Sequence, residues 1–368
     1  MIIGCPKEIK THEYRVGLTP SNVAEYIANG HQVYIEQGAG SAIGFSDENY
    51  QLAGAIITDK KTLFEESQMI IKVKEPLKEE YSFFKDNQIL FTYLHLAADE
   101  ELTRMLLHKN IQGIAYETIK HNNTLPCLAP MSSIAGRLAV LESAKYLEKI
   151  YGGSGVLLSG VPGVQKGKVT ILGGGVVGIN AAQIALGLGA DVTILDIDTN
   201  RLSYIDQIFN MKITTLYSNR GNLIECLKDT DVLIGAVLIP GAKAPKLIKR
   251  DDLKLMKKGS VMADVAIDQG GCFETSKPTT HTDPIFEVDG VLHYCVANMP
   301  GAVARTSTLA LTNTTLPYGI MIANLGVKEA CKSNGAILEG LNTFNGKCTY
   351  EAVSQAFNLD YTDAKKLF

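Results

Sequence analysis

Lys168-Val-Thr-Ile-Leu-Gly-Gly-Gly-Val-Val-Gly178 opens a stretch that runs through an uncharged segment to Asp191-Val-Thr-Ile-Leu-Asp-Ile-Asp198. It reads as a strand, a glycine-rich turn opening a helix, and a second strand ending in a carboxylate. Gly173, Gly175 and Gly178 have the G-x-G-x-x-G spacing, with Asp196 at the tip of the second strand. The first glycine permits a tight turn, the second lets the backbone approach a pyrophosphate, and the third lets the helix pack close to the strand. The helix N-terminus then offers unpaired N–H groups to phosphate. Glycine-rich turns also occur merely to pack a helix on a sheet, but here every context element follows in order. The reading is a dinucleotide site. A carboxylate at Asp196 accepts hydrogen bonds from a ribose 2′-hydroxyl and repels a 2′-phosphate, so NAD is expected over NADP, with Arg201 nearby.

The surrounding composition is that of an ordinary globular protein. The chain has 368 residues, enough for two domains, and is 46% hydrophobic and 20% charged with a net charge of −4. A mildly acidic balance argues against nonspecific nucleic-acid binding, which needs a basic face. Seven scattered cysteines without a C-x-x-C suggest neither a disulfide framework nor a zinc site. The start, Met1-Ile-Ile-Gly-Cys-Pro-Lys-Glu, carries charge too early for a signal peptide. Residues 169–190 and 306–327 are uncharged, yet glycine and polar residues in them speak against membrane spans. A soluble, cytoplasmic protein is expected.

Working outward, the first 130 residues alternate apolar strands with helical stretches. Strands are expected at Val33–Glu36, Met69–Val73, Ile89–Leu94 and Ile111–Tyr116. A helix is expected at Pro20–Asn29, with Thr19 as N-cap and Gly30 as stop. Ser132 or Ser133 is expected to cap a long helix reaching about Ile150. Six more strands follow at Val169–Leu172, Val192–Leu195, Ile213–Leu216, Val232–Val237, Val261–Val265 and Val291–Val296, and the chain is expected to be helical from Pro300 to Phe368. Such alternation predicts α/β architecture: two doubly wound, parallel-sheet, Rossmann-like domains. The nucleotide domain (131–300) is inserted into a substrate domain (1–130 plus 301–368).

Polar residues gather where these strands end. Lys74, His95 and Asp268 each follow an apolar run, where open α/β sheets bind ligands. By position alone, Lys74 and His95 read equally well as solvated loop residues. Glu117 follows another strand and has no assigned role beyond contact with the site or the hinge. Lys243 and Lys246 read as a solvated loop beside the cofactor. The histidines at 12, 31, 108, 121, 281 and 293 carry no motif and are expected at the surface or in packing.

The chain also carries Pro6-Lys-Glu-Ile, Arg15-Val-Gly-Leu-Thr-Pro, Gly38-Ala-Gly, Gly44-Phe-Ser-Asp, Lys74-Glu-Pro, Tyr93-Leu-His-Leu-Ala, Gly241-Ala-Lys-Ala-Pro-Lys, Ala266-Ile-Asp-Gln-Gly-Gly, Val296-Ala-Asn-Met-Pro-Gly and Thr306-Ser-Thr. Taken together, these motifs resemble the alanine dehydrogenase family, which includes the transhydrogenase alpha subunit. The similarity spans the whole chain. Cys5, Tyr14, Gly17 and Ala304 depart from it, standing where valine, asparagine, alanine and proline are expected, and Tyr14 and Gly17 flank Arg15.

The resemblance implies that Arg15 and Lys74 hold the substrate carboxylate and that His95 and Asp268 are the catalytic acid/base pair. It implies cofactor contacts at Ser133, Val177, Gly178, Asp196, Arg201, Ser218, Val237, Leu238, Val265, Ala266, Ile267, Asp268, Val296, Ala297, Asn298 and Met299, and a homohexamer. The implied reaction is L-alanine + NAD⁺ + water ⇌ pyruvate + NADH + ammonium. Loss of hydride from Cα needs a neutral amine, so a base must take the ammonium proton, and histidine is a side-chain type suited to carry it. No metal is required, since NAD supplies the electron sink. Other readings are the NAD(H)-binding part of a nicotinamide nucleotide transhydrogenase, an opine-forming or lysine-pathway dehydrogenase, and a catalytically silent NAD sensor. The joint presence of Arg15, Lys74, His95 and Asp268 favours the enzyme, because a sensor has no reason to keep all four.

Overall fold

The computed structural model describes residues 1–237 and 244–368. The chain divides into two compact units, one of Met1–Met131 with Val303–Phe368 and the other of Ser132–Ala302.

The first unit is built on β1 (Ile2–Cys5), β2 (Gln32–Glu36), β3 (Ile56–Thr58), β4 (Met69–Ile71), β5 (Ile89–Thr92) and β6 (Gln112–Ala115). The second holds β7 (Lys168–Leu172), β8 (Asp191–Asp196), β9 (Thr214–Tyr217), β10 (Val232–Gly235), β11 (Val261–Asp264), β12 (Ile285–Val288) and β13 (Val291–Tyr294). Late in the chain β14 (Leu341–Phe344) and β15 (Lys347–Cys348) rejoin the first sheet. That sheet runs β15-β14-β6-β5-β4-β1-β2-β3, and the other runs β12-β13-β11-β10-β7-β8-β9. Within each, the six parallel strands have the doubly wound order 3-2-1-4-5-6. The order reverses between β1 and β4 in one unit and between β7 and β10 in the other. Successive residues of β4, β5, β10, β11 and β13 are all buried. Since neighbouring side chains point to opposite faces, both faces of these strands are covered.

Local chemistry explains the connections. Thr19 caps the Pro20–Ala28 helix by accepting from the Asn22 N–H, and Gly30 follows at φ +82°. The long helix spans Ala129–Tyr146, so it starts before Ser132 and Ser133 instead of being capped by them. Nor is the C-terminal stretch wholly helical. After Ala304–Ser333, which breaks at Gly326, and Gly335–Gly340, the chain makes the β14–β15 hairpin. Asn345 and Gly346 turn it with φ +49° and +75°. Asp289 and Gly290, at φ +52° and +87°, likewise turn β12 antiparallel onto β13. Both are the Asn-Gly and Asp-Gly signals of a two-residue turn.

The glycine turn shows three different demands. Gly173 sits at φ +100° and its N–H donates to the Leu195 carbonyl at 2.8 Å. A Cβ on Gly178 would lie 1.9 Å from the Gly173 carbonyl oxygen, whereas one on Gly175 would meet nothing within 4 Å. Gly178→Ala is therefore expected to destabilise the second unit by about 1–3 kcal/mol through overpacking. Gly175→Ala should stay within about 1 kcal/mol of the parent, the usual worth of an N-cap change. Denaturant unfolding followed by circular dichroism checks the pair, and equal midpoints for the two variants would contradict the packing assignment.

Candidate functional site

In the first unit Arg15, Lys74, His95 and Glu117 follow the carboxyl ends of β1, β4, β5 and β6, four neighbouring strands. Arg15 and Lys74 thus flank the point where strand order reverses. Each of the four stretches is held by a carboxylate that accepts backbone N–H groups or is itself that carboxylate. Glu8 Oε1 accepts from Val73 N–H at 2.6 Å and Lys74 N–H at 3.2 Å. Thr92 Oγ1 donates to the Lys74 carbonyl at 3.0 Å. Glu13 Oε1 accepts from the Arg15 N–H at 3.0 Å.

Arg15 is 2% exposed and its guanidinium is gripped sideways by Glu13, Nε to Oε1 at 2.7 Å and Nη2 to Oε2 at 2.5 Å. Burial pulls its pKa down, but Glu13 outweighs burial and holds it above the usual value. Nη1 lies 3.1 Å from the Met131 sulfur. The tyrosine at 14 points outward, 48% exposed, with its hydroxyl 3.2 Å from His12 Nδ1. Gly17 is required by the backbone, since a Cβ there would come 2.8 Å from the Ile71 carbonyl oxygen.

Under Lys74 lies a buried ion triad. Lys72 Nζ is 3.2 Å from Glu8 Oε2 and 2.8 Å from Glu80 Oε1, with all three side chains at most 2% exposed. Burial lowers the Lys72 pKa, but the two carboxylates more than reverse this and keep the ammonium charged. Burial raises Glu8 against the pull of Lys72. Close by, burial pushes the Glu75 carboxyl up, while Lys74, Lys10 and His95 together bring it below the usual range.

His95 has an exposed side chain on a left-handed backbone, φ +49° and ψ +33°. That conformation costs a non-glycine residue roughly 1–2 kcal/mol. Its ring stacks on Tyr93 with centroids 6.0 Å apart and planes 15° off parallel. Tyr93 is fixed in turn by donating its hydroxyl to the Cys127 carbonyl at 2.6 Å.

In the second unit the glycine turn, Asp196, Ser218, Val237, the Val265–Asp268 segment and the Val296–Met299 segment all follow carboxyl ends of parallel strands. Asp196 Oδ2 accepts from the Gly174 N–H at 2.6 Å and Oδ1 from the Asp198 N–H at 2.9 Å. Its carbonyl accepts from Ser218 N–H at 2.8 Å. A carboxylate has about four acceptor positions, so two hydroxyls of a ribose still fit. With open space above Gly175, the residues present fit a dinucleotide. Ser133 Oγ accepts from Asn180 Nδ2 at 3.3 Å, on the helix that the glycine turn opens. Leu238 lies outside the described residues, as do Gly241, Ala242 and Lys243.

Asp268 is exposed on a short 3-10 turn, Ile267–Gln269, that is clamped from both sides. Fully buried Asp264 accepts from Ala266 N–H at 3.1 Å, Cys272 N–H at 2.9 Å, Phe273 N–H at 3.3 Å and Ser276 Oγ at 2.5 Å. Lys246, read from sequence as solvated, instead donates to the carbonyls of Gly270, Gly271 and Phe273 at 2.5, 2.9 and 2.9 Å. Cys272 is buried against Asp264, and burial followed by that charge raises its thiol far above the ordinary value. It is an inert thiol. Among the described residues no group of three His, Cys, Asp or Glu side chains is arranged to hold a metal ion. None of the described helices is long and apolar enough to cross a membrane. His31 and His293 are buried in packing roles, His31 between the N-terminal amine and Asn324, His293 against Thr275.

Comparison with known proteins accounts for the whole chain. The family model described as alanine dehydrogenase/PNT, N-terminal domain, matches residues 4–135, and that of the C-terminal domain matches residues 139–351. A protein named alanine dehydrogenase from Methanococcus maripaludis is 58% identical over 100% of this chain and 99% of its own. A solved structure titled L-alanine dehydrogenase superposes with a TM-score of 0.94 at 51% identity, covering 97% of this chain and 99% of the other. A transhydrogenase from Sinorhizobium meliloti superposes with a TM-score of 0.81 over 96% of this chain and 100% of that one. At 23% identity it shares the fold.

The buried triad yields a stability prediction. Lys72→Met strands two buried carboxylates, and breaking such a pair costs about 3–5 kcal/mol near pH 7. Without the ammonium, the burial that already raises Glu8 goes unopposed, and its folded-state pKa moves further above the unfolded value of about 4.3. A raised carboxyl stabilises below its unfolded pKa and loses that contribution as pH rises through its folded pKa. The deficit should therefore shrink on going from pH 7 to pH 5. Urea unfolding of both proteins at the two pH values checks this, and a pH-independent deficit would contradict it.

Proposed function

The chain belongs to the alanine dehydrogenase/PNT family, and from that membership we propose that it is an NAD-dependent L-alanine dehydrogenase interconverting L-alanine with pyruvate and ammonium. The observation that carries the reading is full-length identity of 58% and 51% to proteins bearing that name. Low identity to the transhydrogenase leaves that rival with the fold alone. The substrate is assigned to the first unit and NAD to the second, and the chemistry below follows from those assignments.

Arg15 and Lys74 bind the substrate carboxylate. Glu13 occupies the Nε–Nη2 edge of Arg15, so the substrate meets the guanidinium end-on. Lys74 adds a point charge, and together the two fix the orientation of Cα. His95 takes the ammonium proton, giving the neutral amine that hydride loss requires. NAD, when bound, supplies the hydride acceptor. Asp268 steadies the cationic imine and orients the attacking water, and His95 returns the proton as ammonia leaves. The glycine turn cradles the pyrophosphate, and Asp196 takes the ribose hydroxyls. Ser133, Val177, Arg201, Val237, Leu238 and the segments 265–268 and 296–299 complete the cofactor contacts. The assembly assigned to it is a homohexamer in the cytoplasm, an extension from the family that light scattering tests for its oligomeric part.

Incubation with L-alanine and NAD⁺ at alkaline pH should generate NADH absorbance, and its absence would refute the reading. His95→Gln should retain NADH binding while kcat falls by roughly 10²–10⁴, the worth of a positioned proton carrier. Lys74→Ala should raise KM for alanine and pyruvate with NADH affinity unchanged. A Lys74→Ala protein defective only toward NADH would reverse the assignment of units.

Asp196→Ala should weaken NAD⁺ binding by roughly 1.5–3 kcal/mol, the range for hydrogen bonds to a charged group. It should also narrow the preference over NADP⁺. Because Asp196 also ties down Gly174 and Asp198, loss of binding should come with faster amide exchange in the glycine turn. Isothermal titration with both cofactors decides, and equal affinities before and after substitution would remove Asp196 from the site.

A further inference from the structure

His95 lies on a left-handed backbone, and one side chain holds the peptide that leads into it. Beyond Thr92 and Ala115, which pair at the ends of β5 and β6, the two chains leave the sheet. Glu117 reaches back across this gap. Its Oε1 accepts from the His95 N–H at 2.6 Å and the Leu94 N–H at 3.1 Å, and Oε2 lies 3.2 Å from the Leu94 nitrogen. Two successive N–H groups bound to one carboxylate fix the orientation of the Leu94–His95 peptide. The His95 side chain leaves that fixed peptide on a left-handed backbone, φ +49°.

Glu117 is anchored independently of His95. Its neighbour Thr118 donates to the Gly340 carbonyl at 3.3 Å and accepts from Asn342 Nδ2 at 2.8 Å, which ties the turn to β14. The side chain of His95 is exposed, with its ring stacked on Tyr93. Glycine or asparagine would make the same turn with less strain. Strain retained at an exposed, titratable residue points to function.

We infer that Glu117 is a positioning residue that sets the direction of the His95 imidazole by fixing the Leu94–His95 peptide from which that side chain projects. The inference rests on the proposed role of His95 as proton carrier. Glu117 touches backbone N–H groups and neither donates nor removes a proton in the reaction.

Three variants and one measurement without turnover test it. Glu117→Ala should lower kcat by up to about 10²-fold, the effect of an ångström-scale misplacement, with KM for pyruvate and Kd for NADH within about twofold. Glu117→Gln keeps an acceptor oxygen and should recover most of that loss, whereas Glu117→Leu, without an acceptor, should match alanine. Near-parental kcat in Glu117→Ala, or a glutamine variant as impaired as alanine, would overturn the inference. Amide hydrogen exchange reads the backbone directly. Leu94 and His95 lie beyond the β5 strand, yet their N–H groups should be protected in the parent and exchange at least about tenfold faster in Glu117→Ala. Unprotected amides in the parent would overturn the inference whether or not any variant folds. A parent protein that forms no NADH from alanine would instead defeat the proposed function, leaving the backbone claim to the exchange data.

Discussion

A carboxylate accepting main-chain N–H groups just past the end of a parallel strand is the interaction on which both candidate sites depend. Parallel strands end by splaying their connecting loops, and each loop leaves amide donors without ladder partners. Water would satisfy those donors but would not fix the loop. Glu8, Glu117, Asp196 and Asp264 satisfy them from positions 8 to 66 residues away, and Glu13 from within its own loop. Such charge-assisted bonds are shorter and about twice as strong as neutral ones. The residues assigned to chemistry are thereby held in place through the backbone.

The electrostatic cost of this arrangement falls on the first unit most heavily. Glu8, Glu13 and Glu80 are all almost fully buried, and each faces a buried cation, Lys72 or Arg15. Lys72 pulls the Glu8 pKa down against the burial that raises it, and Glu13 holds Arg15 charged. In the second unit no buried cation pairs with Asp264 among the described residues. Burial raises its carboxyl, and Ser276, Phe273 and Cys272 pull it back by donating hydrogen bonds.

Much of this was legible in the sequence, and what escaped has physical reasons. Apolar runs bounded by glycine and proline gave most strand centres, and the glycine fingerprint located the turn after β7. The short strands β1, β3, β12, β14 and β15 went unread. Two of them are joined by Asn345-Gly346, and β12 is joined to β13 by Asp289-Gly290, turn signals that were present but unused. The carboxylate grips escaped for a different reason. Glu8 and Lys74 are 66 positions apart, and Glu117 and His95 are 22 apart. No local periodicity links such pairs. A partial signal did exist in Lys72, a charge inside the apolar run Met69-Ile-Ile-Lys-Val, which a fully covered strand tolerates only beside acidic partners.

Because the two sheets share one strand order, each has a crevice at its reversal point, yet the crevices are lined by different material. At the first, Arg15 and Lys74 are side chains that follow β1 and β4, while at the second it is the main chain of the glycine turn that follows β7. A side-chain lining is rewritten by a single codon. A main-chain lining survives most codon changes, and those that alter its glycines disturb the turn itself. The crevice of the first unit is accordingly the evolvable one, where specificity can drift within the family, and that of the second is the conservative one.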